Sequence, residues 1–592
     1  FTNGEIPRPR VQRTLRALFF DPDQLHPDRT AAEVTADAAD VFRQIAENMR
    51  AWEAAPERIA HFLTKLVFCL FAEDVGLLPA TVSGRGIFTE IIEQTREQPS
   101  EFLHYAHELF RAMADGGSVL LRPIPYFDGR LFDDVHVEEL STEALLALEK
   151  ACHLDWSAIE PAIFGTLFER SLDPSKRAQL GAHYTSRDDI LLIVEPVLMD
   201  PLRREWTAIQ AQAVPLRDQY DAAATERVRV NRRRDLEALR EQMLARLRTV
   251  TVLDPACGSG NFLYVALQLL KDLEKEVIHS PLWKDTGLMH PFPQVHPRQL
   301  YGIEINPIAH DLASIVVWIG YIQWQQNNGY LSFKEPILEP LDNIQQMDAI
   351  LAFDADGTPV EPEWPSVDVI VSNPPFLGGQ KTLRELGQEY SDSLRFLYEG
   401  RVHASADLVT YWFERSRAML LDGKTHRVGL LATQAIRAGV SRHVLDRIKE
   451  TGDIFMAWSD RPWNLDGADV RVSMVGFDDG NERKKHLDGN PVDCIYADLT
   501  AGIDLTRARQ LTENLEMLDR GIQTGGPFEI DDSIATRLRQ TLMNRQIIVP
   551  IVNARDVLSR ENNTTWVIDF EQTPSIDPSF YEEVYHLLKE NW

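Results

Sequence analysis

The chain has 592 residues and a formal net charge of −29, with 44% hydrophobic and 26% charged residues. This length allows about three or four domains, and the composition is that of a globular protein with a substantial core. No run approaches the roughly 18 uncharged apolar residues of a membrane span, and the first residues lack a signal-peptide pattern. Four cysteines without paired spacing argue against a zinc site or a disulfide framework. We therefore expect a cytoplasmic protein.

The acidic balance is unusual for a protein that binds nucleic acid, because such domains are commonly basic. A local basic surface can still attract a polyanion within an acidic chain. The clearest positive stretch covers residues 227–248, with three consecutive arginines at 232–234. We interpret this stretch as a solvated helix face rather than as a contact with DNA.

Residues 1–165 are predicted to form a helical spacer or docking domain. Apolar residues recur at helical spacing over 31–52 and 57–71, and no strand alternation is convincing in this part. The region also lacks the acidic-plus-lysine cluster of a nuclease metal site. We therefore expect no cleavage chemistry there.

From about residue 166 the pattern changes to short β-rich runs that alternate with helical stretches. This alternation predicts an α/β fold with a parallel, doubly wound sheet, whose ligands bind beyond the carboxyl ends of the strands. The predicted strands cover residues 249–253, 299–303, 367–371, 427–432 and 470–477. The rhythm is lost after about residue 480, apart from one further strand-like run at 565–570.

A glycine-containing loop, with the sequence LDPACGSGNF over residues 253–262, follows the first of these strands. Gly258 and Gly260 allow a tight turn and a close approach of the backbone to a ligand. The loop is neither the dinucleotide fingerprint, because the third glycine is missing, nor a phosphate loop, because no Gly-Lys-Ser/Thr closes it. On its own it fits a plain strand-to-helix turn as well as a cofactor site.

The loop after the strand at 367–371 contains Asn373, Pro374, Pro375 and Phe376. Two prolines make the loop rigid, so that it displays the Asn373 side chain and the Pro374 carbonyl as acceptors. Two acceptors on one amino group can localise its lone pair for attack on a methyl donor, without a metal or a covalent intermediate. Phe376 can stack on a base flipped out of a duplex. The alternative is an ordinary Pro-Pro turn.

The two loops resemble motifs I and IV of amino-group DNA methyltransferases, in that order along the chain. This resemblance implies a Rossmann-like class I methyltransferase core that binds S-adenosyl-L-methionine. It also implies transfer of the methyl group to N6 of a flipped adenine in double-stranded DNA.

The same resemblance implies roles for further residues. Glu304 is similar to the acidic ribose ligand, Asp348 to the acceptor for the cofactor's adenine amino group, and Tyr184 and Thr185 to the segment at its methionine end. The implied cofactor-binding residues are Tyr184, Thr185, Asp254, Ala256, Gly258, Gly260, Asn261, Phe262, Glu304, Ile305 and Asp348.

Several of these assignments have plain structural alternatives. Glu304 could be a surface acid at a strand end, Thr185 or Ser186 could be a helix N-cap, and Asp342 could take the place of Asp348. Trp463, in a segment that resembles the late motifs near the target base, could line the pocket or belong to the core.

The order of the motifs resembles the gamma class of N6-adenine DNA methyltransferases. Residues 71–79 (FAEDVGLLP), 377–381 (LGGQK) and 566–570 (WVIDF) are in addition similar to MmeI-like enzymes, in which restriction and modification share one chain. This implies a catalytic domain at 166–480 and the start of a target-recognition region at 481–592.

Because no nuclease motif is seen, we expect the protein to protect host DNA near the nucleoid of a bacterium or archaeon. A restriction-modification system and a phage-defence system such as DISARM or BREX, with further subunits as partners, are both compatible with this role. RNA base or protein glutamine methylation, and a non-catalytic DNA-binding subunit, are the alternatives. The presence of Asn373, Phe376 and Glu304 favours an enzyme.

Overall fold

The computed structural model describes eleven segments of the chain. They are residues 31–50, 56–81, 84–127, 131–158, 160–161, 185–330, 341–465, 468–502, 528–551, 565–570 and 581–591. The chain divides into two compact units, Phe1–Thr506 and Arg507–Trp592. Within the described segments, no helix is both long enough and apolar enough to cross a membrane.

The N-terminal part of the larger unit is mainly helical, as predicted. Its helices are α1 (Ala31–Arg50), α2 (Pro56–Asp74), α3 (Ile87–Thr95), α4 (Pro99–Asp115) and α5 (Thr142–Ala151). Apolar side chains from all five of them are buried in one cluster, which continues into the helices and strands of the core.

The region also contains a short hairpin that the sequence did not predict. Strands β1 (Gly117–Val119) and β2 (Arg122–Ile124) pair in an antiparallel manner. The turn between them consists of Leu120 and Leu121, whose φ angles are 46° and 61°. Glycine or asparagine is the usual residue at such positive φ angles, so the leucines gave no turn signal in the sequence.

A nine-stranded sheet forms the centre of the larger unit. Its strands are β3 (Val252–Asp254), β4 (Leu300–Glu304), β5 (Ile344–Gln346), β8 (Val369–Ser372), β9 (Arg427–Thr433), β10 (Asp453–Leu465), β11 (Ala468–Asp478), β12 (Lys485–Leu487) and β13 (Asn490–Val492). A separate two-stranded pair consists of β6 (Ala352–Phe353) and β7 (Pro359–Val360). The five predicted core strands correspond to β3, β4, β8, β9 and β11, whereas β5, β10, β12 and β13 were not predicted.

The strand order is β13-β12-β10-β11-β9-β8-β3-β4-β5. Strands β5, β4, β3, β8 and β9 are parallel neighbours, and β11 runs antiparallel between β9 and β10. Along the chain, β4 and β5 are added in turn on one side of β3, and β8 and β9 are then added on its other side. The order therefore reverses between β3 and β8, which is where doubly wound sheets bind ligands. This confirms the predicted class I methyltransferase fold.

Helices cover both faces of this sheet. They are α6 (Arg187–Val194), α7 (Asp200–Asp221), α8 (Glu226–Thr249), α9 (Asn261–Ile278), α10 (Pro307–Asn327), α11 (Gly379–Leu386), α12 (Gln388–Leu397), α13 (Thr410–Leu421) and α14 (His443–Thr451). Successive residues of a strand point to opposite faces. Accordingly, Val369 and Val371 of β8 join the cluster shared with the N-terminal helices, and Ile370 joins a second cluster.

The smaller unit contains a three-stranded antiparallel sheet in the order β14-β16-β15. Its described elements are β14 (Glu529–Ile530), α15 (Asp532–Leu538), α16 (Asn544–Ile547), β15 (Ile548–Ile551), β16 (Thr565–Ile568) and α17 (Glu582–Asn591). Ile547, Ile548, Tyr581 and Val584 are buried in its own apolar core. The strand-like run predicted at 565–570 forms β16.

Candidate active site

The carboxyl ends of β3 and β8 are joined by a buried hydrogen bond. The Ser372 hydroxyl donates to Oδ1 of Asp254 at 2.5 Å, and the backbone N–H of Ala256 donates to the same oxygen at 3.1 Å. Both side chains are almost fully buried. Burial raises the pKa of Asp254 to about 7. Asp254 therefore fixes the start of the glycine-containing loop relative to the strand that carries Asn373.

Glu304, at the end of β4, holds the same loop from the other side. One carboxylate oxygen accepts a hydrogen bond from the N–H of Gly258 at 2.9 Å, and the other accepts from the N–H of Asn306 at 2.8 Å. Burial raises the pKa of Glu304. Ile305 follows with its side chain 58% exposed. Glu304 thus holds the loop through hydrogen bonds from its backbone, and Ile305 presents an apolar surface beside Glu304.

The loop turns at Gly258 and Gly260, whose φ angles are 51° and 83°. A Cβ atom on Gly260 would lie 3.0 Å from the Cα of Ala313 in α10, whereas nothing lies within 4 Å of the corresponding position on Gly258. Helix α9 begins directly afterwards at Asn261, whose side-chain oxygen is buried without a hydrogen-bond partner in the described structure.

Asp348 lies just beyond the carboxyl end of β5. Its Oδ1 accepts from the N–H groups of Ile350 and Leu351 at 2.8 and 3.1 Å, and its Oδ2 accepts from the Tyr390 hydroxyl at 2.7 Å. Asp342 precedes β5 and so lies toward the other end of that strand. The geometry groups Asp348, and not Asp342, with Asp254 and Glu304.

A cleft of about 640 Å³ opens beside Asp348. Met347, Leu351, Trp364 and Lys424 are among the residues that line it, and Asp348 is the one predicted site residue that does so. The cleft is therefore next to the β3–β8 site rather than within it.

The catalytic-loop candidate follows β8 and is held at both ends. The side-chain N–H group of Asn373 donates to Oγ1 of Thr185 at 2.9 Å, and its side-chain oxygen is buried with no hydrogen-bond partner in the described structure. After Phe376, the N–H of Leu377 donates to Oδ1 of Asp407 at 3.0 Å. Sequence reasoning missed Asp407, which is buried and whose pKa is raised by that burial.

The segment before α6 supplies Thr185 to this site. The N-cap of α6 is Ser186, whose hydroxyl accepts from the N–H of Asp189, so the N-cap alternative belongs to Ser186. Thr185 is buried and contacts Asn373 instead. Tyr184, which was predicted with it, lies outside the described residues.

Two aromatic residues predicted near the target base differ in their surroundings. Phe376 is partly buried and packs against both apolar clusters. Trp463 is 5% exposed and belongs to the cluster shared with the N-terminal helices, which matches the core alternative.

The arrangement suits a cationic ligand that donates hydrogen bonds. Asp254, Glu304 and Asp348 end three parallel strands, and in the described structure no lysine or arginine is hydrogen-bonded to their carboxylates. Asn261 and Asn373 add two buried oxygens that lack partners. A buried acceptor without a partner costs free energy of about 1–3 kcal/mol, which a ligand donor would recover. The chemistry of S-adenosylmethionine, with a sulfonium and amino donors, fits these groups.

Comparison with protein families identifies two domains. Residues 226–488 match the DNA-methyltransferase domain of MmeI, and residues 57–132 match the helicase spacer domain of MmeI. The two matches together account for more than half of the chain.

Two curated relatives agree with this. DNA methyltransferase A of Bacillus subtilis is 30% identical over 468 residues, which are 76% of this chain and 48% of the relative. A protein of Methanocaldococcus jannaschii, named as a type II restriction enzyme and methyltransferase, is 23% identical over 303 residues, or 44% of this chain and 24% of that protein. The chain thus spans about half the length, or less, of these relatives.

Among solved structures, the type IIL restriction-modification enzyme MmeI, determined in complex with DNA, is similar in fold. The TM-score is 0.66 at 22% identity, and the match covers 94% of this chain and 73% of that one. The strand order, the two matched domains and this shared fold together make the chain MmeI-like, with a class I methyltransferase core and a spacer domain.

Proposed function

We propose that the chain transfers a methyl group from S-adenosyl-L-methionine to the N6 amino group of adenine in double-stranded DNA. The observation that carries this proposal is the buried side-chain oxygen of Asn373, which has no hydrogen-bond partner among the described residues and adjoins a rigid Pro-Pro loop. An acceptor fixed in this way suits an amino group that is bonded to an aromatic ring.

The residues proposed to hold the cofactor lie on the carboxyl side of the sheet. When bound, S-adenosylmethionine supplies an electrophilic methyl group on a sulfonium. Glu304 would accept from the ribose hydroxyls, Ile305 would offer an apolar face to the purine, and Asp348 would accept from the purine amino group. The methionine part of the cofactor is proposed to lie against Thr185, Tyr184 and the glycine-containing loop. The proposed contact residues of that loop are Asp254, Ala256, Gly258, Gly260, Asn261 and Phe262.

The proposed catalytic group consists of Asn373, Pro374, Pro375 and Phe376. Asn373 and the Pro374 carbonyl would each accept one proton of the target amino group, which concentrates the lone pair on nitrogen. The prolines keep these acceptors in place, so little reorganisation is needed during the reaction. Phe376 would stack on the flipped base and offset part of the cost of unstacking. The methylated nitrogen then releases one proton to water.

The proposed biological role is protection of host DNA in a restriction-modification or phage-defence system. In this proposal, residues 1–165 act as a spacer or docking domain, 166–480 form the catalytic domain, and 481–592 begin a target-recognition region. The match to an MmeI spacer domain at 57–132 supports the first of these assignments.

The test compares Asn373→Ala with the wild-type protein. We expect loss of tritium transfer from labelled S-adenosylmethionine to DNA, together with unchanged binding of S-adenosylhomocysteine in calorimetry. Asn490→Ala, a change at an exposed position in β13, serves as the control and should methylate normally.

The product and the substrate class are tested in the same assay. Digested DNA should contain labelled N6-methyladenine, and equal amounts of RNA and protein should take up no label. N6-methyladenine at the wild-type level from Asn373→Ala would refute the role of this residue. Label confined to RNA or protein would refute the substrate.

A further inference from the structure

We propose that Tyr390 is a positioning residue that orients Asp348, so that the chain selects a purine with a 6-amino group in its methyl donor. This inference rests on the proposed function, in which Asp348 accepts from the adenine of S-adenosylmethionine. Tyr390 was not among the predicted site residues, and it lies 42 residues after Asp348 in the chain.

The first observation is that the Asp348 carboxylate is held by three hydrogen bonds. Oδ1 accepts from the backbone N–H groups of Ile350 and Leu351, at 2.8 and 3.1 Å. Among the described residues, Oδ2 accepts one bond, from the Tyr390 hydroxyl at 2.7 Å. Each carboxylate oxygen has two acceptor positions. The two backbone N–H groups therefore occupy both acceptor positions of Oδ1. Oδ2 has a second acceptor position, and the bond from Tyr390 determines the direction in which it points.

The state of the tyrosine agrees with this role. Tyr390 is partly buried, and both its burial and the adjacent Asp348 carboxylate raise its pKa well above the usual value. The phenol consequently remains a proton donor at any physiological pH. A permanent donor on one side of Oδ2 leaves the other side as an acceptor for a ligand N–H group.

Helix α12, which carries Tyr390, connects this carboxylate to the catalytic loop. It follows that loop along the chain, and Tyr390, Phe376 and Leu377 all pack against the same apolar cluster. Near the end of α12, Tyr398 donates its hydroxyl to the carbonyl oxygen of Ile350 at 3.0 Å. Two tyrosines thus fasten one helix to the loop at 348–350, but Tyr390 alone of the two contacts the carboxylate.

This arrangement predicts discrimination between purines. A 6-amino group donates a hydrogen bond to Oδ2, whereas the 6-oxo group of an inosine analogue would place a second acceptor against a carboxylate. Sites that are built to bond a particular donor reject analogues without it strongly, since their own polar group is then left unpaired. The selectivity depends on the orientation of Oδ2, and hence on Tyr390.

The experiment measures calorimetric binding of S-adenosylhomocysteine and S-inosylhomocysteine to the full chain. We expect Tyr390→Phe to reduce the preference for the adenosyl compound about tenfold, the usual effect of one hydrogen bond to a charged group. Tyr398→Phe removes a hydroxyl from the same helix and loop and should keep the wild-type preference, even if both affinities fall. Asp348→Asn should abolish the preference, because an amide can donate to a 6-oxo group.

Each outcome has a defined meaning. An unchanged preference in Tyr390→Phe, or an equal loss in Tyr398→Phe, would overturn the role of Tyr390. A wild-type preference in Asp348→Asn would show that Asp348 does not contact the purine, and the proposal for Tyr390 would fall with it. Because these measurements need no DNA, they are separate from the methylation assay, whose failure would instead contradict the proposed substrate.

Discussion

At the scale of single residues, the side-chain amide of Asn373 must present its oxygen, and not its nitrogen, to the site. In the structure the Thr185 hydroxyl oxygen accepts from the amide N–H group at 2.9 Å, and the amide oxygen points the other way. This oxygen is buried and has no hydrogen-bond partner in the part of the chain that the structure describes. Thr185 therefore acts on the acceptor geometry of Asn373, in addition to any contact with the cofactor.

Replacing Thr185 tests this contact. In Thr185→Val the amide loses its orienting partner, and we expect kcat for DNA methylation to fall about tenfold or more, as for other misplaced catalytic groups. Thr185→Ser retains a hydroxyl and should keep most of the activity. Steady-state kinetics on one duplex substrate would compare the two variants. Equal activity of the valine and serine variants would contradict the orienting role.

The sequence could predict site residues that are contiguous in a loop but not those that meet across the fold. Asp254, Gly258 and Gly260 stand within one motif, as do Asn373 and Phe376. By contrast, Asp407 holds the loop from 30 residues away and Tyr390 holds Asp348 from 42. Neither an aspartate in a loop, such as Asp407, nor a tyrosine in a helix carries a local signal of such a contact, because the contact depends on the tertiary packing.

At the scale of elements, the paired strands β3 and β8 enclose a buried carboxyl group, that of Asp254 at the end of β3. Burial raises the pKa of Asp254 to about 7 in the folded protein, above the ordinary value of 3.8 for an aspartate. Between these two values the unfolded chain has released its proton and the folded chain retains it. The free energy of unfolding therefore falls as the pH rises from about 4 to about 7.

Asp254→Asn should remove this dependence on pH. Between pH 5 and pH 8, the free energy of unfolding of the wild-type methyltransferase core should fall by about 2–3 kcal/mol more than that of the asparagine variant. This figure follows from integrating the proton linkage over that pH range. Thermal unfolding of both proteins without cofactor at the two pH values measures the difference. Asp422→Asn, at an exposed position, provides a control that should follow the wild type. If the difference in stability between the wild type and Asp254→Asn were the same at both pH values, the pKa of the Asp254 carboxyl would not be raised by folding.

Prediction of elements succeeded where apolar periodicity was continuous and failed where it was interrupted. Strands β4, β8 and β9 are apolar runs and were located to within about two residues. Strand β10 is irregular in its pairing with β11 between Trp458 and Arg461, and it contains Pro462. A bulge changes which residues face the core, so the alternation that identifies a strand is broken there.

At the scale of the whole molecule, the basic stretch at residues 227–248 lies away from the site. Helices α6 and α7, joined by a π-helical turn at Glu195–Met199, run on from Thr185 for roughly 50 Å of helix at 1.5 Å per residue. Helix α8 returns from there to the amino end of β3. The exposed arginines at the start of α8 are therefore at the opposite end of the sheet from Asn373, which supports their interpretation as a solvated face.

Arg461 lies at the same edge of the sheet as Asn373, where DNA would approach in the proposed function. It belongs to the carboxyl half of β10, its guanidinium is 5.3 Å from the ring of Trp458, and its Nε is 3.4 Å from Oδ1 of Asp189 in α6. Helix α6 begins next to Thr185, so a positive charge here is close to the proposed target base. In an acidic chain, attraction of DNA depends on such local charges rather than on the net charge.

A matched pair of variants tests this separation of charges. Arg461→Ala should weaken binding of a 30-base-pair duplex several-fold in 100 mM salt and lower the slope of log Kd against log salt concentration, as expected when a phosphate contact is lost. The double variant Arg233→Glu and Arg234→Glu changes more charge but lies at the far end of the sheet, so its affinity and slope should match the wild type. Fluorescence anisotropy over a salt series measures both quantities. Weaker binding by the double variant would show that the duplex reaches the tip of α8, and the interpretation of that helix as a solvated face would be wrong.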